Sequence, residues 1–201
     1  MFLLWRPNPS GAQYDERGIV GNKRSGLSTI TLDWLDTLGR TGCFEEAFDY
    51  NLAVLNAPSY SARFWRALEV DDLRIPLTTN PELFDAIAAL GADCRGAWTA
   101  SKQSKSGVSW IGTGSLPLGK ATWDGDSISF ANGRSIEGVH QNVWDFEVSG
   151  YRVLQKWFAA REHWIITVAN SLQALGTVIA VSELVDLGPA LNDALKQLVG
   201  P

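Results

Sequence analysis

Two hairpin-turn dipeptides, Asp124-Gly125 and Asn132-Gly133, bracket a short run from Ser127 to Phe130 in the middle of a chain that is otherwise patterned for helices. Asp-Gly and Asn-Gly supply the positive φ that a tight antiparallel turn needs. Ala121–Trp123, Ser127–Phe130 and Ser135–Ile136 therefore read as a small antiparallel meander. Val108–Ile111 reads as a further strand. The whole stretch from Ala100 to Val139 is rich in Ser, Gly and Thr, which disfavour helix. Val143 to Val148 alternates Val143, Asp145 and Glu147 against Trp144, Phe146 and Val148, the period of one more strand.

The flanks are helical. Leu32, Leu35 and Leu38 fall at helical spacing before Gly39. From Glu45 onward Ala47, Phe48, Leu52 and Leu55 make an apolar stripe that Pro58 stops. Ser59 is placed to cap a helix running to about Val70, with Tyr60, Phe64, Ala67 and Leu68 on its apolar face. Arg74-Ile75-Pro76-Leu77 is extended, because proline disfavours helix in the residue before it. Pro81 suits a first helical position after Thr79 and Asn80, and that helix is expected to end at Gly91. At the N-terminus Phe2–Trp5 reads as a strand closed by Pro7-Asn8-Pro9-Ser10-Gly11, and Ala12–Ser28 as a loop. After Gly150 the pattern is helical to the end, with a break expected near Gly188-Pro189. The composite is an α+β fold: N-terminal helices, a small central antiparallel sheet and C-terminal helices. It is expected as one domain over 1–201, helical over about 28–96, sheet over about 106–148 and helical again over about 150–199.

Composition narrows the function. A chain of 201 residues is long enough for a sizeable core, and nine tryptophans demand interior space or a partner surface. The formal charge of -5 argues against a basic coat, although an acidic domain can carry a local basic face. Cys43 and Cys94 are far apart and make neither a disulfide framework nor a metal knuckle, which points to reduced thiols in the cytoplasm. Met1–Gly11 lacks the basic start of a secretory signal. Trp164–Val181 is apolar, but Asn170, Ser171 and Gln173 lie in its middle and no Lys or Arg lies on its C-terminal flank. It reads as a buried or partner-packed helix, with no membrane expected as a partner.

No catalytic constellation stands out. There is no phosphate-cradling GxxxxGK[ST] and no Gly-x-Ser-x-Gly elbow. Gly112-Thr113-Gly114 has no helix behind it. His140 and His163 lack a second ligand at metal spacing. Glu45-Glu46 and Asp71-Asp72 are sequence neighbours that point in different directions. Asn8-Pro9-Ser10-Gly11 lacks the second proline and the aromatic of an amino-methyltransferase motif. No catalytic residue, metal or cofactor is expected.

One longer pattern is specific. Trp144-x-Phe146-x-Val148-Ser149-Gly150-Tyr151-x-Val153-Leu154-x-x-Trp157-x-x-x-Arg161 resembles a motif near the C-terminus of type ISP restriction-modification enzymes. Two further blocks resemble the same family in the same order. One runs from Glu46-Ala47-Phe48-Asp49-Tyr50 through Pro58-Ser59-Tyr60 to Arg74-Ile75-Pro76-Leu77. The other is Leu83-Phe84 to Leu90-Gly91. Phe2-Leu3-Leu4-Trp5 is similar to the strand that opens the region, so the likeness covers about residues 1 to 165. Ser61 stands where the family usually has Arg, and Arg63, one turn away, could substitute. The resemblance implies a target-recognition (specificity) region without the family's nuclease, ATPase and methyltransferase regions.

On physical grounds the motif is mostly a folding device. After Gly150, Tyr151, Leu154, Trp157 and Phe158 fall on one helix side, and Arg152, Gln155 and Lys156 on the other. Contacts to DNA are expected from loops and exposed cations. Lys102, Gln103 and Lys105 lie in a Ser-rich loop suited to phosphates and base edges. Arg134 follows the Asn132-Gly133 turn, at an expected hairpin tip. Lys23 and Arg24, with Arg17, line the Gly-rich N-terminal loop. Arg63, Arg152 and Lys156 complete the candidate set. The expected partners are double-stranded DNA and a separate methyltransferase or nuclease chain, in a role in phage defence. The competing expectation is a protein-interaction module, or remnant of a split enzyme, that docks a partner through its apolar C-terminal helices.

Overall fold

Three aromatic side chains from three helices hold one extended segment in place. Trp34 Nε1 donates to the carbonyl of Thr78 at 2.7 Å, Tyr50 Oη to that of Pro76 at 2.7 Å and Tyr60 Oη to that of Arg74 at 2.6 Å. Alternate carbonyls of an extended chain point the same way, so one aromatic wall can satisfy residues 74, 76 and 78 together. Trp34, Tyr50 and Phe84 pack edge-to-face and stacked around this wall, with centroids 5.0 to 5.5 Å apart.

The computed structural model describes residues 5–7, 19–20, 23–70, 74–99, 105, 107–113, 116–148 and 151–200. Over these the chain is α+β and divides into two compact units, residues 1–95 with 190–201, and residues 96–189. The chain passes between them inside two helices, α4 (Pro81–Thr99) and α7 (Val168–Val199).

The first unit holds the helices α1 (Thr29–Thr37), α2 (Phe44–Asn56), α3 (Tyr60–Leu68) and most of α4. Ser28 caps α1 by accepting from Thr31 N. At its other end the Gly39 and Arg40 amides donate to the Asp36 and Leu35 carbonyls, and Gly39 takes φ 66°. That is the left-handed termination expected at Gly39. In α2 the buried residues are Phe44, Ala47, Asp49, Tyr50, Ala53 and Val54. The helix is rotated relative to the expected stripe, and Phe48, Leu52 and Leu55 are only half-buried. Tyr50 decides the rotation, because its ring belongs to the aromatic wall. Asp49 then enters the interior and meets Arg95 in a two-pronged ion pair at 2.7 and 2.8 Å.

Gly91 does not end α4, which continues to Thr99. A Cβ there would lie 1.7 Å from the Asp49 carbonyl oxygen, so this glycine lets two helix backbones touch. Asn80 caps α4 by accepting from Glu82 N and Leu83 N, as expected next to Pro81. Ser59 makes no helix cap. Its hydroxyl and amide both donate to Asn192 Oδ1, in the last turns of α7.

The N-terminal segment differs from the loop expected over Ala12–Ser28. Residues 19–20 and 23–25 are strands β2 (Ile19–Val20) and β3 (Lys23–Ser25), in a three-stranded sheet ordered β1-β3-β2 with β1 (Trp5–Pro7). The expected strand Phe2–Trp5 reaches the described residues only at Trp5. Pro7 is tolerated because β1 is an edge strand. Pairing is antiparallel, with Trp5 opposite Ser25, Arg6 opposite Arg24 and Pro7 opposite Lys23.

The second unit contains the expected meander. β5 (Ala121–Trp123), β6 (Ser127–Phe130) and β7 (Ser135–Glu137) pair consecutively, and β4 (Ser109–Ile111) joins β7 to give the order β4-β7-β6-β5. The expected strand over Val143–Val148 is broken in two. Gln141–Trp144 form the short helix α5, and only Glu147–Val148 are strand (β8). β8 pairs with β9 (Tyr151–Arg152), so the helix expected from Gly150 starts later, as α6 (Val153–Ala159). The core joins Ile128, Phe130 and Ile136 of the sheet to Leu154 and Phe158 of α6 and to Leu175, Val178 and Ile179 of α7. Trp110, Trp123, Trp144 and Trp157 pack around it.

α7 runs unbroken through Pro189, where a break was expected. Proline removes one backbone bond, but Val178 and Ile179 on one side of it and Leu191 and Leu195 on the other are buried and hold both halves helical. By length and composition α7 could cross a membrane, but half of its most apolar window is buried, as expected of a core helix.

Gly91→Ala is expected to destabilise the protein by about 3 kcal/mol or more, since backbone and not a flexible side chain must yield. Tyr50→Phe leaves the Pro76 carbonyl unpaired and should cost about 1–3 kcal/mol in urea unfolding. Burial pushes the Tyr50 phenol up to about 12 and the Cys94 thiol up to about 11. Above their ordinary values of 10.0 and 9.0 the unfolded chain loses these protons while the folded chain keeps them. Stability should therefore fall from about pH 9 to about pH 12, and Tyr50→Phe should flatten the upper part of that fall.

Candidate nucleic-acid interface

The candidate cations separate into those the fold uses and those it presents. Arg134 is the clearest of the first kind. It is 4% exposed, and its guanidinium donates to the carbonyls of Thr113 at 3.2 and 3.4 Å and of Leu116 at 3.2 Å. The turn before it forms as expected, with Asn132 Oδ1 accepting from Arg134 N and Asn132 Nδ2 donating to the Pro117 carbonyl. The side chain, however, points inward from the hairpin and ties Thr113 and Leu116 to the sheet. A solvated hairpin-tip charge is thus not what the structure places there.

Lys105 donates to Ser182 Oγ at 2.7 Å and pairs with Asp186 at 2.6 Å, anchoring the start of β4 to α7. Arg63 lies on α3 and donates to the carbonyls of Val199 and Gly200 at 3.2 and 2.7 Å. It caps the last turn of α7, where a cation also meets the helix dipole. Arg161, the last residue of the motif, stacks over Trp157 and Trp164 at 4.1 and 4.8 Å and donates to the Trp157 carbonyl. Its role is packing by cation–π contact.

Arg152 and Lys156 are presented outward. They stand one helical turn apart where β9 passes into α6, and both are exposed. Arg152 makes a long ion pair with Asp145, at 3.4 Å, and the same carboxylate accepts from Gln155. An exposed pair of this length holds the side chain only weakly. Among the described residues Lys156 has no ion-pair partner. Beside them the β8–β9 ribbon has both strands exposed, with Val148 opposite Tyr151 and Glu147 opposite Arg152. Tyr151 is 55% exposed and so leaves the core face where helical spacing put it, because residues 151 and 152 are strand.

Lys23 and Arg24 stand in β3, at consecutive positions. Lys102, Gln103 and Arg17 lie outside the described residues. Sequence reasoning missed Arg6, which reads as the edge of a proline cluster and becomes notable only through its register with Arg24. At the other end of the central sheet Asp124 is held below the usual carboxylate range by the hydroxyls of Ser127 and Ser129, which fixes an anion at that turn. Among the described residues no group of three metal-ligating side chains occurs.

The Type ISP C-terminal specificity domain matches residues 1–171. The chain belongs to that family. None of the curated proteins compared matches. Among solved structures, a nuclease-deletion mutant of the Type ISP restriction-modification enzyme LlaGI, in complex with a DNA substrate mimic, is similar at 14% identity and TM-score 0.55 over 90% of this chain. The DrdV–DNA complex is similar at 13% identity and TM-score 0.54 over 90%, and the ATP-dependent Type ISP enzyme LlaBIII bound to DNA at 13% and 0.56 over 96%. This chain spans 17%, 21% and 13% of those chains respectively. At these identities the likeness is one of fold.

Arg134→Met, which keeps the volume but strands two carbonyls, should lower stability by about 1–3 kcal/mol in thermal or urea unfolding. Lys156→Ala should stay within about 0.5 kcal/mol of the parent, as expected for an exposed side chain.

Proposed function

We propose that this chain is a DNA target-recognition module of a restriction-modification system, not catalytic by itself, that binds double-stranded DNA inside the cell. The match of a specificity-domain family over residues 1–171 carries the reading. The contacts come from Arg152 and Lys156 at the start of α6, which are exposed, together with Lys23, Arg24, Lys102 and Gln103. Phosphate contacts of this kind fix position, and base edges are read by the few side chains that reach a groove. Lys105, Arg63 and Arg134 shape the scaffold that aims them. Cleavage or methylation is then supplied by another chain.

A second reading has its own observation. Leu116, Ile165 and Val168 are 60%, 49% and 78% exposed, and a bridge sets the exposed Pro117 beside Ile165. A methyltransferase or nuclease chain docking there would cover apolar surface that the core of α7 leaves out.

The test of the first reading is fluorescence anisotropy of the purified protein on mixed-sequence duplex DNA across a salt series. Binding should weaken with salt at a slope of about three to five neutralised phosphates. Arg152→Ala with Lys156→Ala should lower that slope by about one to two at unchanged thermal stability. A folded protein that ignores DNA at low salt would sink recognition by the isolated chain and leave the docking face as the reading to pursue.

A further inference from the structure

Arg152 is met by carboxylates on two sides, and neither grips it. Asp145 Oδ1 accepts from Arg152 Nη1 at 3.4 Å and from Gln155 Nε2 at 3.2 Å. On the β8–β9 ribbon Glu147 stands directly opposite Arg152, so the two side chains leave the same face. Both are exposed. The ion pairs that lock the fold have another form. Arg40 holds Asp85 at 2.9 and 2.6 Å, and Arg95 holds Asp49 at 2.7 and 2.8 Å, each through two guanidinium nitrogens. Arg152 commits one nitrogen at the edge of hydrogen-bond distance, and among the described residues its Nε and Nη2 make no hydrogen bond. From 145 to 156 the charged side chains are Asp145, Glu147, Arg152 and Lys156, so the stretch that offers cations carries no net charge.

We propose that Asp145, seconded by Glu147, is a latch on Arg152 that a DNA phosphate must displace, and that this latch keeps the module's hold on unselected DNA weak. The proposal rests on the DNA-recognition reading above and names the residues that regulate that same site. A phosphate offers the guanidinium two oxygens in its own plane, where Asp145 offers one at long range. Contact with DNA therefore favours the exchange, because an exposed ion pair is held only weakly. The exchange also leaves two carboxylates beside the anionic backbone. A site whose bases present amino groups offsets that repulsion, since a carboxylate in the major groove accepts from cytosine N4. Unselected DNA does not. Discrimination then comes from an unfavourable charge set against the wrong partner as well as from a contact to the right one.

The experiment uses the full chain and fluorescein-labelled mixed-sequence duplex. It compares the parent with Asp145→Asn, Glu147→Gln, Arg152→Ala and the Asp145→Asn/Arg152→Ala double variant. Glu137→Gln, an exposed acid on β7, serves as a control for overall charge. At low salt Asp145→Asn should tighten binding on the order of fivefold, the upper end of what an exposed pair is worth. Glu147→Gln should tighten it by about twofold, and both gains should shrink as salt screens the carboxylates. In the Arg152→Ala background Asp145→Asn should change affinity little, because the two residues are coupled through one contact. Parent-level affinity in Asp145→Asn, while the parent binds DNA, would overturn the latch and leave the recognition reading standing. So would weaker binding at an unchanged melting temperature, which would make Asp145 a support that orients Arg152. An equal gain in Glu137→Gln, or in the Arg152→Ala background, would overturn it by reducing the effect to general repulsion. If Asp145→Asn melts lower than the parent, Glu147→Gln decides: tighter binding upholds the latch and parent-level binding overturns it. A parent that does not bind would overturn both readings.

Discussion

The first unit depends on how an extended segment with few partners of its own is kept inside a helical frame. Among the described residues no strand lies beside 74–78, and the carbonyls of residues 74, 76 and 78 are paired by Tyr60, Tyr50 and Trp34 instead. Each donor comes from a different helix, so α1, α2 and α3 are fixed to one strip of backbone and thereby to each other. The strip in turn leads directly into the Asn80 cap of α4. Buried carbonyls left unpaired cost more than an ordinary hydrogen bond returns, which makes this set of donors mutually enforcing. It also explains why Tyr50, and not the Phe48–Leu52–Leu55 stripe, decides the rotation of α2.

The second unit uses charge where the first uses aromatic donors. Arg134 holds Thr113 and Leu116 to the sheet through their carbonyls. Arg161 fills the space between Trp157 and Trp164, and Lys105 fixes β4 to α7. In an acidic chain these uses remove cations from the pool available to an anionic ligand. The cationic surface is therefore smaller than the sequence count implies, and its position matters more than its size.

The parts of the fold legible in sequence were those set locally. The Asp-Gly and Asn-Gly turns fixed the meander, Gly39 ended α1, and Asn80-Pro81 started α4. The parts that were not legible depend on distant residues. Gly91 reads as a helix stop, yet its missing side chain serves the Asp49 backbone from another helix. Val143–Val148 alternates like a strand, but the alternation spans a helical turn and a two-residue strand. Lys23 and Arg24 read as loop because strands of two or three residues leave no periodic trace. The same limit governs the candidate site. Arg134 and Arg152 look alike in sequence, and only tertiary structure shows that one is satisfied by carbonyls and the other faces outward.

The motif from Trp144 to Arg161 shows how one stretch can serve both ends. Leu154 and Phe158 are fully buried and bind α6 to the sheet, while Arg152 and Lys156 of the same turns face outward. A rigid inner face is what makes an outer cation useful, since a phosphate contact fixes position only if its support does not move. The residues of β8 and β9 are exposed, and β9 precedes the anchored helix directly. Placing the exposed Val148–Tyr151 pair there costs the core nothing, because α6 and α7 have already closed it. The arrangement lets exposed residues at 147–156 change without unfolding the unit, which is the property a recognition surface needs.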